Sequence, residues 1–302
     1  MARRGPWSAG VTVTVIGVVA AVTLTAIARA DARQAREFQV YVSVVDASGD
    51  PVKGVDAGEF VVREDGVARE VLRVGPATDP MDIAVLVDDS QAATRAIADL
   101  RKGLQSFATT MVKGNQISLI TFGERPTILV DYTTTPAQLE AGINRIFARP
   151  GTGAYLLEAI VEAARGLARR KAARPVMVVV TTEGQEFSND YHVKVLEALH
   201  ESGATMHALI LSGRGDANPQ SDEIRNRNVV LADGPATTGG RRDYLLAESS
   251  ITPKLEQVAS ELRHQYRLVY SRPESLIPPK TLAVTVRRAG LTARATTVPA
   301  ER

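Results

Sequence analysis

The stretch Met81-Asp-Ile-Ala-Val-Leu-Val-Asp88-Asp89-Ser90 decides the fold of this chain. It reads as an apolar strand that ends in two carboxylates and a hydroxyl. Because both of its alternating faces are apolar, we expect both to be covered, as in the centre of a parallel sheet. Open α/β sheets place their ligand sites in loops at the carboxyl ends of such strands. The sequence therefore predicts a site at Asp88 and Ser90, whose hard oxygen atoms suit Mg²⁺ or Mn²⁺.

Helical and strand patterns alternate after this strand. Apolar residues spaced three and four apart predict helices after Ser90, from Pro136, after Gly153, over 191–201 and over 253–263. Runs rich in β-branched residues predict strands at 116–122, 127–132, 176–180, 205–211 and 265–271, with residues 212–242 as a polar excursion. This alternation predicts an α/β fold with a doubly wound, mostly parallel sheet over residues 80–272.

The two ends of the chain have β character. A strand over 38–46 precedes a hairpin of 59–64 and 67–74, joined by Asp65-Gly66, a pair typical of a type I′ turn. Further strands are predicted at 281–287 and 291–298. We expect the α/β body to be inserted between the halves, 37–76 and 280–299, of one small β-sandwich, because domain termini often lie close together.

Composition and charge exclude several functions. Over 302 residues, 44% hydrophobic and 23% charged residues are typical of a globular protein. A formal charge of +2, without a long basic run, argues against nucleic acid as a partner. The chain has no cysteine, so disulfides, thiolate catalysis and cysteine-bound metals are excluded. Its four histidines show no common spacing and are interpreted as helix-surface or core-edge residues.

The N-terminus predicts export. Arg3 and Arg4 precede an uncharged stretch, 11–27, and Ala28-Arg29-Ala30 has the small-x-small pattern that signal peptidase cuts. The stretch is shorter than the roughly 20 residues of a spanning helix, so we expect residues 1–30 to be a cleaved signal peptide. The alternative is an anchor in the inner membrane through 11–27, the chain's one predicted membrane contact. In both cases the preceding positive charges predict a periplasmic or extracellular body.

Several short motifs, taken in order, carry a family resemblance. They are Val42-Ser-Val-Val-Asp46, Gly49-x-Pro51-Val52, Phe60-x-Val62-x-Glu64-Asp65-Gly66, Asp88-x-Ser90, Thr238-Gly239-Gly240, and Gln265-Tyr266 with Tyr270. Across residues 38–298 the chain resembles the bacterial VWFA-related family of exported proteins. The resemblance implies a von Willebrand factor type A domain with flanking β strands and a metal-ion-dependent adhesion site.

The adhesion-site motif of that family reads Asp-x-Ser-x-Ser, and this chain departs from it. The resemblance implies metal ligands at Asp88, Ser90, Thr152 and Glu183. Ala92 replaces the second serine, Ala154 stands where threonine is expected, and Glu183 replaces an aspartate. Mg²⁺ demands a near-ideal octahedron of oxygens. We therefore expect a degenerate site that binds Mg²⁺ or Mn²⁺ weakly.

Three functional hypotheses follow. The leading one is an exported, non-enzymatic adhesion-type module that holds a protein partner at a predicted rim of Asp88, Asp89, Thr152 and Glu183. The alternative is a structural component of an envelope or secreted assembly, which binds through the sandwich. The third is an enzyme that uses a carboxylate pair such as Asp88 and Glu183, and it predicts a deep apolar pocket beside them.

Other motifs indicate function only weakly. Gly151-Thr152-Gly153 precedes a helix but lacks the third glycine of a dinucleotide fingerprint, and the signatures of P-loop NTPases and α/β-hydrolases are absent. Arg214-Gly215-Asp216 spells an integrin-binding tripeptide, which arises easily by chance in a glycine-containing loop. The basic group at 165–171 is explained by a solvated helix end, where cations favour the dipole.

Overall fold

The computed structural model describes residues 35–213, 221–274 and 277–298, which form an α/β body and a set of small antiparallel sheets. The predicted signal peptide or anchor at 1–30 and the Arg214-Gly215-Asp216 motif lie outside these residues. In the part of the chain that is described, no helix is long and apolar enough to cross a membrane.

The helices and strands are numbered in chain order. The strands are β1 (Ala35–Val45), β2 (Phe60–Glu64), β3 (Val67–Arg69), β4 (Val71–Pro76), β5 (Met81–Val87), β6 (Gln116–Thr121), β7 (Thr127–Thr133), β8 (Arg174–Thr182), β9 (Thr205–Leu211), β10 (Arg242–Leu245), β11 (Tyr266–Pro273), β12 (Leu282–Val286) and β13 (Thr292–Arg294). The helices are α1 (Ile97–Met111), α2 (Pro136–Asn144), α3 (Leu156–Arg170), α4 (His192–Ser202), α5 (Asp222–Thr238) and α6 (Ile251–Arg263).

The α/β body is built on a six-stranded sheet in the order β10-β9-β8-β5-β6-β7. All neighbours are parallel except the outer strand β7, which is antiparallel to β6. Strand β5 lies inside the sheet, and its two faces enter two different hydrophobic cores, Val85 into one and Leu86 into the other. The prediction of a doubly wound, mostly parallel sheet is confirmed.

Two small antiparallel sheets, β13-β1-β11-β4 and β12-β2-β3, share one further core. Strand β12 pairs with β2 and strand β13 pairs with β1, so the C-terminal strands return to the N-terminal ones as expected. Asp65 and Gly66 join β2 to β3 with φ values of 47° and 80°, the two positive angles that a type I′ turn requires.

Strand β11 lies in the sandwich, between β1 and β4. Its assignment as the last strand of the α/β body was therefore wrong. Tyr266, Leu268 and Tyr270 face the sandwich core, while Arg267 between them is exposed. Such alternation belongs to a sheet with one covered face, whereas the strands inside a parallel sheet are apolar on both.

The polar excursion predicted at 212–242 contains helix α5. The helix begins at Ser221, whose side chain accepts a hydrogen bond from the backbone N–H of Ile224 at 3.2 Å. The helix was missed because Pro235 lies inside it and because few of its residues are apolar, which weakens the 3.6-residue period.

Candidate functional site

The candidate site lies at the carboxyl edge of the parallel sheet, where three loops meet. Asp88, Asp89 and Ser90 follow β5, Glu183 follows β8, and Thr152 lies between α2 and α3. The backbone N–H of Gln91 donates to the carbonyl of Thr152 at 3.3 Å, which joins the first and third of these loops. The fold therefore brings the loops of the predicted site residues together.

Asp88 is fully buried and holds the end of β5 to the end of β8. Its Oδ1 accepts from the N–H of Ser90 at 2.8 Å, and its Oδ2 accepts from the N–H of Thr182 at 2.9 Å. Burial raises the pKa of the Asp88 carboxyl. Both carboxylate oxygens thus already have protein donors.

Asp89 is only 3% exposed and also has a partner for each oxygen. Its Oδ1 accepts from the N–H of Gly123 at 2.6 Å, and its Oδ2 accepts from Nε of Arg149 at 2.9 Å. The place of Asp89 in the predicted rim was therefore wrong, because a buried, doubly paired carboxylate presents nothing to a partner. Asp88 is also buried with both oxygens bonded, so its place in the predicted rim was wrong as well.

The remaining predicted ligands are also engaged or turned to other neighbours. Ser90 is buried, and the Thr152 hydroxyl donates to the carbonyl of Arg149 at 2.8 Å. Glu183 is exposed, and its Oε2 lies 3.4 Å from both the Ser212 hydroxyl and the Gly213 N–H. Of the predicted rim, only Thr152 and Glu183 reach the surface.

The donor set does not fit the octahedral shell that Mg²⁺ requires. The oxygens of Asp88 and Thr152 are bonded within the protein, and position 92 contributes a methyl group. That methyl is in close contact with Gly184, where an added Cβ would stand 2.5 Å away. In residues 35–213, 221–274 and 277–298 no three His, Cys, Asp or Glu side chains are grouped to hold a metal.

An exposed aromatic side chain stands at the same edge. Phe187, in the loop after β8, is 44% exposed, and its ring packs edge to face on Tyr155 with 6.0 Å between centroids. We name the surface formed by Thr152, Tyr155, Glu183 and Phe187 the aromatic edge. Phe187 was not predicted from the sequence, although an aromatic residue in the polar run 185–190 directly after a strand end was a usable signal.

Buried polar groups hold the loop that carries Phe187. The Glu186 carboxylate accepts from the N–H of Leu156, and the Ser188 hydroxyl accepts from the N–H of Leu157, both at 3.0 Å. These two contacts satisfy N–H groups in the first turn of α3, which have no partner inside the helix. Burial raises the pKa of Glu186 to about 7. The loop is thus fixed on the end of α3.

Residues 83–185 match the family model of the von Willebrand factor type A domain. Together with the parallel sheet described above, this match defines the class: the α/β body is a von Willebrand factor type A domain, as the resemblance implied. A search of curated protein sequences found no match.

Several solved structures are similar to this chain at low identity. A von Willebrand factor type A protein from Catenulispora acidiphila is 12% identical, with a TM-score of 0.49 over 86% of this chain and 72% of that one. The corresponding domain of the type V pili tip protein Mfa5 from Porphyromonas gingivalis is 12% identical, with a TM-score of 0.45 over 61% and 95%. Proximal thread matrix protein 1 from the mussel byssus is 15% identical, with a TM-score of 0.48 over 67% and 49%.

Proposed function

We propose that this chain is an exported, non-enzymatic binding module that holds a protein partner at its aromatic edge, without needing a metal ion. The observation that carries the proposal is the exposed Phe187 ring, which packs on Tyr155 and lies on a loop fixed by the buried Glu186 and Ser188. Export rests on the N-terminal segment, whether residues 1–30 are cleaved or 11–27 remain as an anchor.

The chemistry of the aromatic edge suits a protein partner. Aromatic side chains dominate the binding energy of many protein interfaces when a pocket of the partner covers them. Glu183 adds an exposed negative charge, which would favour a partner with a nearby cation and speed the encounter. Because the loops are already fixed by hydrogen bonds, binding would lose little conformational entropy.

Two cavities lie away from the predicted carboxylate pair. One cavity of about 580 Å³ lies between β6, β7 and α3, and one of about 1500 Å³ lies between β1 and α4. Neither is lined by Asp88 or Glu183. A deep apolar pocket beside this carboxylate pair would favour the enzyme hypothesis, whereas both Asp88 oxygens are bonded within the protein.

Affinity capture from the native envelope tests the proposal. Residues 31–302 should retain a protein partner, and Phe187→Ala should weaken its retention by about tenfold or more, since truncated aromatic hot spots cost roughly 2 kcal/mol. Val67→Ala is the matched control, because Val67 is also exposed but lies on β3 of the sandwich.

The same capture distinguishes the hypotheses. Retention that survives both Phe187→Ala and Glu183→Ala but fails with the Val67 variant would contradict binding at the aromatic edge. That result would favour the alternative, a structural component that binds through the sandwich.

A further inference from the structure

Arg149 joins three loops of the carboxyl edge. Its Nε donates to Asp89 Oδ2 at 2.9 Å, and its backbone N–H donates to the Asp89 carbonyl at 2.8 Å. Arg149 thus makes two hydrogen bonds to the loop after β5. Its Nη1 donates to Glu124 Oε2 at 2.9 Å, in the turn between β6 and β7. Its own carbonyl accepts the Thr152 hydroxyl.

The burial of Asp89 makes this contact more than a surface ion pair. Exposed ion pairs contribute little to stability. Asp89, however, is almost completely buried, while Arg149 is partly exposed at its side chain, and removing the partner of a buried charge is strongly unfavourable. Arginine stays protonated at every pH of interest, so its positive charge is a permanent part of the site.

Neighbouring contacts fix the same loops against one another. The Gln91 side-chain oxygen accepts from the N–H of Gly151 at 2.6 Å, which adds a second tie between the first loop and the Arg149 loop. At Gly123 an added Cβ would stand 2.4 Å from the backbone N of Ser90, so the turn packs directly on the first loop. The loops therefore meet through direct protein contacts.

We propose that Arg149 is the positioning residue of this site. Its guanidinium acts as a built-in cation that clamps the three loops through Asp89 and Glu124, the task that a divalent ion performs in an oxygen-ligand adhesion site. The carboxyl edge is consequently assembled without metal and is not switched by it. The inference rests on the proposed function and deepens it, because Arg149 holds the loop that carries Thr152, one of the residues of the aromatic edge.

Hydrogen exchange on the full-length protein tests the clamp. Arg149→Gln removes the charge and should speed exchange of the amides at Gly123, 149, Gly151 and Thr152 by about tenfold or more, because local opening becomes easier. Arg149→Lys keeps the positive charge but lacks the planar guanidinium, so its exchange rates should lie between those of the wild type and those of Arg149→Gln. Arg145→Gln is the matched control, since Arg145 is exposed in the same segment, and it should leave these amides unchanged.

Melting temperatures supply the second arm. The wild-type protein should melt at the same temperature in EDTA and in millimolar Mg²⁺ or Mn²⁺, because stabilisation by a ligand requires binding to the native state. A rise with metal that Asp88→Ala abolishes would overturn the proposal, as would unchanged exchange in Arg149→Gln. If Arg149→Gln fails to fold, Arg149→Lys and Glu124→Gln replace it in the exchange experiment. Wild-type exchange rates at Gly123 in both of these variants would also overturn the proposal.

This test is independent of the partner. Hydrogen exchange and melting temperature are measured on the isolated chain, whereas affinity capture measures partner binding that depends on Phe187. A negative result with the Arg149 variants therefore does not count against binding at the aromatic edge. A negative capture result likewise does not count against the role of Arg149.

Discussion

Glu186 is a buried carboxyl group that links the loop of the aromatic edge to pH. It is 4% exposed, and its Oε2 has no hydrogen-bond partner among the described residues. Burial favours the neutral form and raises its pKa from 4.5 to about 7. Ionisation above that pH places a negative charge in a buried site where the hydrogen-bond donors all point to the other oxygen, Oε1.

The sign of the resulting pH dependence is fixed by this raised value. The contribution of Glu186 to stability is fully present below pH 4.5 and is lost as pH rises through about 7. We expect Glu186→Gln, which cannot ionise, to gain on the order of 3 kcal/mol relative to wild type between pH 4.5 and 8. Urea denaturation at both pH values measures this, with exposed Glu183→Gln as the control. A pH-independent difference would contradict the assigned burial effect.

At the scale of elements, β12 completes the sheet that the N-terminal hairpin begins. It pairs with β2 along its whole length, from Leu282 opposite Glu64 to Val286 opposite Phe60. Among the strands that the structure describes, the β2–β3 hairpin has no other partner in its sheet. An isolated two-stranded hairpin is marginally stable at best in water, so the hairpin depends on a strand more than 200 residues away.

Deletion of residues 281–302 should therefore loosen the N-terminal hairpin. We expect faster hydrogen exchange at Val61 to Val71, because their sheet loses a strand and their core loses Leu282 and Val284. Amides of β5 are the internal control and should keep their protection, since β5 lies in the other sheet. Unchanged protection of the hairpin would show that it stands without β12.

At the scale of the whole molecule, one buried carboxylate joins the α/β body to the sandwich. Glu261, on α6, is fully buried, and its Oε2 lies 2.5 Å from the guanidinium of Arg294 on β13 and 3.5 Å from that of Arg241. Arg241 in turn contacts Asp243. Two cations from different parts of the fold thus share one anion.

Glu261→Gln should destabilise the entire chain by about 3–5 kcal/mol, because it removes a buried charge that pairs with Arg294, while Arg241 keeps Asp243. Glu256→Gln is the control on the same helix, since Glu256 is exposed, and it should change stability by less than about 0.5 kcal/mol. Equilibrium unfolding followed by circular dichroism measures both. A loss within the control's range would mean that the buried charge does not hold the two parts together.

Features that depend on local patterns could be predicted from the amino-acid sequence. The doubly apolar strand at 81–87, the helical spacing of Leu100, Leu104 and Phe107, and the Asp65-Gly66 turn each encode their own geometry within a few residues. The family resemblance added the class of domain, and the type A fold was confirmed. The signal peptide stays a prediction, whereas the side chains expected to form a weak metal site do not fit one.

Only the tertiary structure decided which groups meet. Asp89 was predicted to face a partner, yet it is buried against Arg149, 60 residues further along the chain. No spacing rule announces that pairing, because it depends on how loops from different strands converge. Long-range packing also determines which sheet contains β11 and leaves Phe187 exposed. Strand periodicity reports that a face is covered, but only long-range packing chooses the element that covers it.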